Sequence, residues 1–350
     1  MTRLTLVVPG LIWPAPQPFH PAGDVLHAAL AQLLGRGRQS MEPAISHENL
    51  LARLLGMEHH HRPLPLALLR RLGEEGGDRH AQGDAHWLCA DPVNLSFAGG
   101  HVLPDAFGED EIEAEEAAAL IEALNDEFGS LGHFSAATPT RWYLRMERPA
   151  RACFFPLDEV VCRPAQDFLP TDGEGDESEG GHWRHVSNEI QVVLHNHPVN
   201  AAREAAGRRP INSLWFWGNG THSTSAAPGT PRFAVQALDP VARGLARTVG
   251  IEPETLDVSA ALRADTLVVL DTLASPIRHL DFVRWQEALA ALERDWFAPI
   301  AQALDRGILR HFTLHVPGER SSFSLTLGLG ARWCFWRKPL SLCAVHLPPS

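Results

Sequence analysis

Four residues in the last third of the chain, Asp271, His279, Asp281 and His315, carry the oxygen and imidazole donors that a divalent cation takes. Asp271 ends the apolar, β-branched run TLVVLD, and a carboxylate at a strand end often does metal or acid–base chemistry. The competing role is an Asp that caps a turn, and the pattern alone gives the two equal weight. A second group lies in HNHPVNAAREAAGRRPINSLWFWGNG. Arg203 offers a planar fork that suits a phosphate or carboxylate, with Asn200 one helical turn before it. Gly218, Asn219 and Gly220 then free the backbone to turn sharply or to approach a ligand closely. The plainer alternative for Arg203 is an ion pair with an acidic neighbour. Arg208 and Arg209 read as surface cations.

Other candidates are weaker. His195 and His197 have no third ligand nearby, and His59, His60 and His61 are adjacent, so on a helix they do not face one another. Asp172, Glu174 and Asp176 resemble a calcium loop, but Glu177 stands where that loop needs glycine, so 171–181 reads as a solvated acidic loop. No nucleophile elbow, zinc-protease, phosphate-loop or dinucleotide motif is present.

The elements that must position these groups alternate. LTLVV reads as a buried first strand stopped by Pro9-Gly10. Helices are expected from Asp24 through VLHAALAQLL, from Ser46 through HENLLARLL, and across EDEIEAEEAAALIEALNDEFG up to Gly129. EIQVVLHNH reads as helix, SLWFW and RFAVQA as strands, and Asp239-Pro240 as the cap and first residue of a helix. TLVVLD is a strand, DFVRWQEALAALERDWFAPIAQALDRG a helix interrupted at Pro299, and HFTLHV, SFSLTL and RWCFW are closing strands. This order implies an α/β fold with a mainly parallel sheet, whose ligands bind beyond the carboxyl ends of its strands. The candidate ends are Pro9-Gly10, Gly218–Gly220, Asp271-Thr272 and Val316–Gly318. Trp215 and Trp217 are expected to be structural, filling the two sides of a buried strand with Phe216.

The chain has 350 residues and a net charge of −12, which argues against a nucleic-acid partner. Lys338 is the only lysine, so no phosphate-loop lysine is available. Five cysteines without a Cys-x-x-Cys pair suggest a reduced compartment, and no apolar run approaches a membrane span. A cytoplasmic protein is expected.

His197-Pro198-Val199-Asn200, Arg203, Gly207, Asn212 and Trp215 to Gly220 resemble, in this order, a signature of the archaeal-type cofactor-independent phosphoglycerate mutases, and DPVARGLARTVGI resembles a following segment of that family. The likeness covers roughly residues 185–275 and suggests a divergent bacterial relative. It implies an alkaline-phosphatase-like α/β domain over 1–350, a mainly parallel sheet flanked by helices, and a smaller inserted α+β region around 75–185. It also implies phosphoryl transfer through a Ser or Thr nucleophile beside two divalent metals, Mn or Zn. The chain departs from that pattern. Where the family's first strand ends in a metal-binding Asp, this chain has Pro9, and no nucleophile motif is recognisable. No Gly-His follows Asp271, and only His315 remains of the late Asp-His pair. The first expectation is therefore a degenerate, inactive mutase-like protein with a regulatory or binding role. It would hold no metal, and would take a small phosphorylated or carboxylate ligand at Asn200, Arg203 and Gly218–Gly220, or a protein partner. The alternative is an active phosphoryl-transfer enzyme with a rearranged site on Asp271, His279, Asp281 and His315.

Overall fold

In the computed structural model, the described residues are 2–13, 27–58, 63–74, 85–173, 178–220, 225–226, 233–334, 336–342 and 345. The chain divides into two compact units, residues 1–58 with 224–350, and residues 59–223. The stretch expected as an insertion, around 75–185, lies within the second.

The first unit opens with β1 (Arg3–Val7), α1 (Ala28–Arg36), β2 (Arg38–Ile45), α2 (His47–Leu54) and β3 (Met57–Glu58). The second holds α3 (Leu66–Gly73), β4 (His86–Ala98), β5 (His101–Ala106), α4 (Ala114–Phe128), β6 (His133–Thr138), β7 (Arg141–Met146), α5 (Leu157–Val160), α6 (Glu179–Asn196), α7 (Pro198–Ala205) and β8 (Ser213–Trp217). The chain then returns to the first unit through β9 (Ser225–Ala226), β10 (Ala234–Gln236), α8 (Pro240–Thr248), α9 (Val258–Ala261), β11 (Thr266–Val269), α10 (Ala274–Arg278), α11 (Phe282–Leu292), α12 (Ala298–Asp305), β12 (His311–Val316) and β13 (Gly318–Leu327).

The first unit is built on a six-stranded sheet ordered β10-β11-β1-β12-β13-β2. Its first four strands are parallel, and β13 and β2 add antiparallel. Leu4 and Leu6 of β1, with no exposed surface, pack with α1, α11 and α12 into one apolar core. The long C-terminal helix breaks earlier than Pro299. Glu293–Phe297 form one wide i→i+5 turn between α11 and α12. Proline has no N–H to give and its ring crowds the carbonyl four residues back, so the helix widens in the preceding turn. The wide turn presents Glu293, whose carboxylate accepts from the Ala29 and Leu30 amides at 2.6 and 3.1 Å and so caps α1. RWCFW is not a strand: Leu329–Trp333 form a short 3-10 turn.

The second unit is α+β, and its sheet is antiparallel throughout: β4 pairs with β5, β7 and β8, and β7 with β6. SLWFW is therefore a strand as expected, but not one of the parallel sheet, so its glycines do not lie at that sheet's ligand edge. Trp215 and Trp217 are buried. The acidic helix α4 carries a capping box between Glu113 and Glu116. Asp24 and His59–His61 lie outside the described residues, as does the centre of the acidic loop.

Candidate functional site

The groups expected to hold an anion are committed to the protein's own chain. Arg203 is 1% exposed. Its Nε donates to the Arg209 carbonyl at 2.7 Å, and its Nη1 donates to the Glu111 carbonyl at 3.0 Å and to Glu116 Oε2 at 2.6 Å. Arg208 takes the other Glu116 oxygen at 2.6 Å, and Arg209 binds Asp105 and Glu111. Asn200 is also buried: its amide group donates to the Leu194 and Ile211 carbonyls at 2.7 and 2.8 Å, and its oxygen accepts from the Ile211 amide. The reading of these two as an open anion pocket is corrected by their burial and by these partners, which occupy the Nε and Nη1 of Arg203 and the side-chain amide of Asn200 from within the chain.

The glycine turn is closed in the same way. Gly218 has φ +81°, and a Cβ there would stand 2.8 Å from the Ala67 nitrogen, whose N–H donates to the Gly218 carbonyl at 2.9 Å. A Cβ on Gly220 would meet Pro65 at 2.6 Å. Asn219 donates to the Ala150 and Ala152 carbonyls at 3.1 and 2.9 Å. The glycines thus admit the backbone that leads into α3, where a ligand was expected. Large aromatics precede them because β8 is buried on both sides: Trp183 packs tilted against Phe216 with ring centroids 5.1 Å apart, and the Trp217 Nε1 donates to Asp91 at 2.8 Å.

Asp91 belongs to the second unit's largest buried ionic network. Arg70 grips its carboxylate with two bonds of 2.7 Å, donates from Nε to the Tyr143 hydroxyl at 2.9 Å, and lies over the Tyr143 ring. Tyr143 donates to Glu74, which Arg141 also binds. Burial alone would lower the Arg70 pKa, but Asp91, Cys89 and Tyr143 together outweigh it and hold it well above the ordinary value. Burial would raise Glu74, and the hydrogen bonds from Arg141 and Tyr143 outweigh that and lower it. A network this closed specifies packing and leaves little free for chemistry.

The carboxyl edge of the parallel sheet holds the groups still free to act. β1 ends at Pro9-Gly10. Gly10 has φ +79°, its built Cβ lies 2.7 Å from the Leu273 carbonyl oxygen, and its own carbonyl accepts from Trp285 Nε1 at 2.8 Å. Beside this turn, β11 leads to Asp271 and β10 to Asp239. Asp239 caps α8, accepting from the Ala242 amide at 2.7 Å. Its field also includes His47 and Glu48, at the start of α2, and Asp271. Burial raises the Asp239 pKa, and Asp271 and Glu48 add to that against His47 and the Ala242 amide, leaving it at about 6. His47 Nε2 is buried with no hydrogen-bond partner. This is a half-buried, acidic cluster that can hold a proton near neutral pH.

The metal quartet does not come together. Asp271 is near Asp239. His315 instead senses Glu42 and Arg53, and its pKa is lowered, first by burial and then by Arg53, against Glu42. Asp281 accepts from the Arg284 amide at 3.0 Å and caps α11, and His279 Nδ1 lies 3.0 Å from the Ser275 carbonyl. Among the described residues no three His, Cys, Asp or Glu side chains are grouped to hold a metal ion. His47, Glu48 and Asp239 carry no motif that marks them; the usable signal was Asp239-Pro240 directly after a strand, on the sheet's carboxyl edge.

No family model matches the chain. The 2,3-bisphosphoglycerate-independent phosphoglycerate mutase 2 of Methanothermobacter thermautotrophicus is 29% identical over 182 residues, 51% of this chain and 42% of that protein. The probable 2,3-bisphosphoglycerate-independent phosphoglycerate mutase of Geobacter sulfurreducens is 28% identical over 171 residues, 46% of this chain and 40% of that one. The matched stretches thus span less than half the length of these curated relatives. A solved protein of Pyrococcus horikoshii has the same fold, with a TM-score of 0.55 at 15% identity, covering 98% of this chain and 91% of that one. The class is therefore a mixed α/β one, and over these stretches the chain is similar to 2,3-bisphosphoglycerate-independent phosphoglycerate mutases. No described helix is long and apolar enough to cross a membrane.

Proposed function

We propose that this chain is a mutase-like protein that has lost two-metal phosphoryl transfer and acts by binding. The Pro9-Gly10 turn carries the proposal. At the end of the central strand, where a metal-binding carboxylate would have to stand, the chain has a side chain without a donor atom. The turn behind it is fixed by Leu273 and Trp285. The residues present do not fit a two-metal centre, because Asp281 and His279 serve local helix ends and His315 faces Glu42 and Arg53. What remains is the Asp239–Asp271–Glu48–His47 cluster, which suits a single cationic or proton-sharing group better than a phosphate. A regulatory role through a bound ligand or protein follows from this as a proposal.

The test is direct. The full chain, dialysed against Mn²⁺, is expected to convert no 3-phosphoglycerate to 2-phosphoglycerate and to retain fewer than one tightly held ion per chain. Turnover together with two retained ions overturns the reading and favours the rearranged active site.

A further inference from the structure

In the second unit, no described strand pairs with the outer edge of β8 along Leu214 to Phe216, although just beyond it the Gly218 carbonyl accepts from the Ala67 N–H at 2.9 Å. The register with β4 sets Ser213 opposite Val93, Leu214 opposite Pro92, Trp215 opposite Asp91 and Phe216 opposite Ala90. Antiparallel ladders bond alternate pairs, and Pro92 has no N–H, so Pro92–Leu214 must be an unbonded pair. The N–H and C=O of Leu214 and of Phe216 therefore point away from β4. Among the described residues no strand or loop backbone meets them, and the Leu214 carbonyl receives only the neighbouring Ser213 hydroxyl at 3.4 Å. Yet Leu214 and Phe216 are 3% and 4% exposed. Buried backbone groups are almost always paired, so this edge is built for a partner.

The space along that edge is a groove of about 240 Å³. One wall is apolar, with Phe155, Phe168 and Trp215; the other, on α6, offers Gln191 and the oxygen of Ser187, whose hydroxyl donates to the Trp183 carbonyl at 2.8 Å. The walls stand over opposite sides of the sheet, since Trp215 packs with Phe155 and Phe168 while Phe216 packs with α6. A ligand lying there meets a row of backbone donors and acceptors, an apolar wall on one side and a polar wall on the other. That is the pattern an extended peptide satisfies, because its side chains alternate sides with a period of two.

We propose that β8 takes an extended peptide as an added strand, with aliphatic side chains towards Phe155, Phe168 and Trp215 and hydroxyl-bearing ones towards Ser187 and Gln191. The site is independent of the sheet-edge cluster in the first unit. The probe is acetyl-Lys-Thr-Val-Thr-Val-Thr-Lys-amide, titrated into the full chain while amide hydrogen exchange is followed residue by residue. The Leu214 and Phe216 amides should exchange readily in the free protein. At a peptide concentration 100 times its dissociation constant they should slow by about 100-fold. Two analogues, N-methylated on the valines or on the threonines, remove opposite sets of peptide donors. One of them should abolish the protection, and which one reports the strand direction. The proposal is overturned if both analogues protect as well as the parent, since the groove then takes apolar groups without strand pairing. It also fails if the peptide slows neither amide, or if both are already as protected as ladder amides in the free protein.

Discussion

Replacing Arg203 by Ala separates a structural cation from a ligand clamp. The Arg203 side chain is 2% exposed and that of its ion-pair partner Glu116 12%, so the pair sits out of water. Removing one member of such a pair typically costs about 3–5 kcal/mol, mostly for the charge left behind. Here Arg208 still holds the other Glu116 oxygen at 2.6 Å, which places the loss towards the lower end. The Arg209 and Glu111 carbonyls each lose a donor, which restores part of the cost, so roughly 3–4 kcal/mol is expected. For a unit of this size that corresponds to a fall in Tm of roughly 6–16 °C. The assay is thermal and urea unfolding of wild type, Arg203→Ala and Arg203→Lys, each with and without sulfate. Arg203→Lys keeps the charge but not the fork, and should lie between the other two. Sulfate should shift all three alike. The reasoning is refuted if Arg203→Ala is as stable as wild type and has lost a sulfate-dependent stabilisation that wild type shows, because an open anion clamp would behave that way.

Asp239 titrates at about 6 in the fold against 3.8 as its ordinary value, so it favours the folded state below pH 3.8 and that contribution is lost as pH rises through 6. The limit is about 3 kcal/mol, reduced by its partial exposure, and Asp239→Asn, which still caps α8, should flatten the difference between pH 4 and 7 in paired urea titrations. His315, lowered in the fold, contributes the opposite way: its stabilisation holds above pH 6.5 and is lost as pH falls through its folded value, so His315→Asn should lessen acid sensitivity there. Gly218→Ala places a methyl 2.8 Å from the Ala67 nitrogen at a positive φ, and should lower stability by at least roughly 2 kcal/mol in denaturant melts. Pro9→Asp alone should not raise retained Mn²⁺ above one ion per chain, since the turn and the caps at Asp281 and His279 stay where they are; two ions by elemental analysis would contradict this.

Legibility in the chain followed how local the determining physics is. α8 was readable because Asp239 and Pro240 set its cap and first turn without help from elsewhere, and α4 because its acids and its closing glycine lie within one stretch. The parallel core strands β1 and β11 announced themselves as short β-branched runs. β4 did not, because Asp91-Pro92 in its middle reads as a break. In the fold the missing N–H of Pro92 falls in the gap between the β7 pairing, which ends at Cys89, and the β5 pairing, which begins at Val93. Asp91 is tolerated there because Arg70, twenty-one residues away, is brought against it by the packing of α3. The cluster of His47, Glu48, Asp239 and Asp271 was unreadable for the same reason: its members come from three distant segments and meet only at a sheet edge.

The residues that misled are instructive in kind. A glycine with positive φ states only that the backbone is left-handed there: Gly207 and Gly250 have open space where a Cβ would stand, whereas Gly218 is closely approached, and by the chain itself. An arginine fork states that two oxygens lie in its plane, and Glu116 with two carbonyls serves as well as a phosphate. The distinction lies in completeness. The close approaches at Gly218 and Gly220 and the hydrogen bonds given by Asn200 and Arg203 all come from within the chain, so each is evidence for packing. By the same standard groups left incomplete among the described residues are the better pointers, among them the outward N–H and C=O of Leu214 and Phe216 and the buried His47 Nε2 beside a carboxyl held half-protonated near pH 6. His47 lies outside the signature that relates this chain to the mutases, whereas Phe216 lies within it, so the two pointers have to be tested separately.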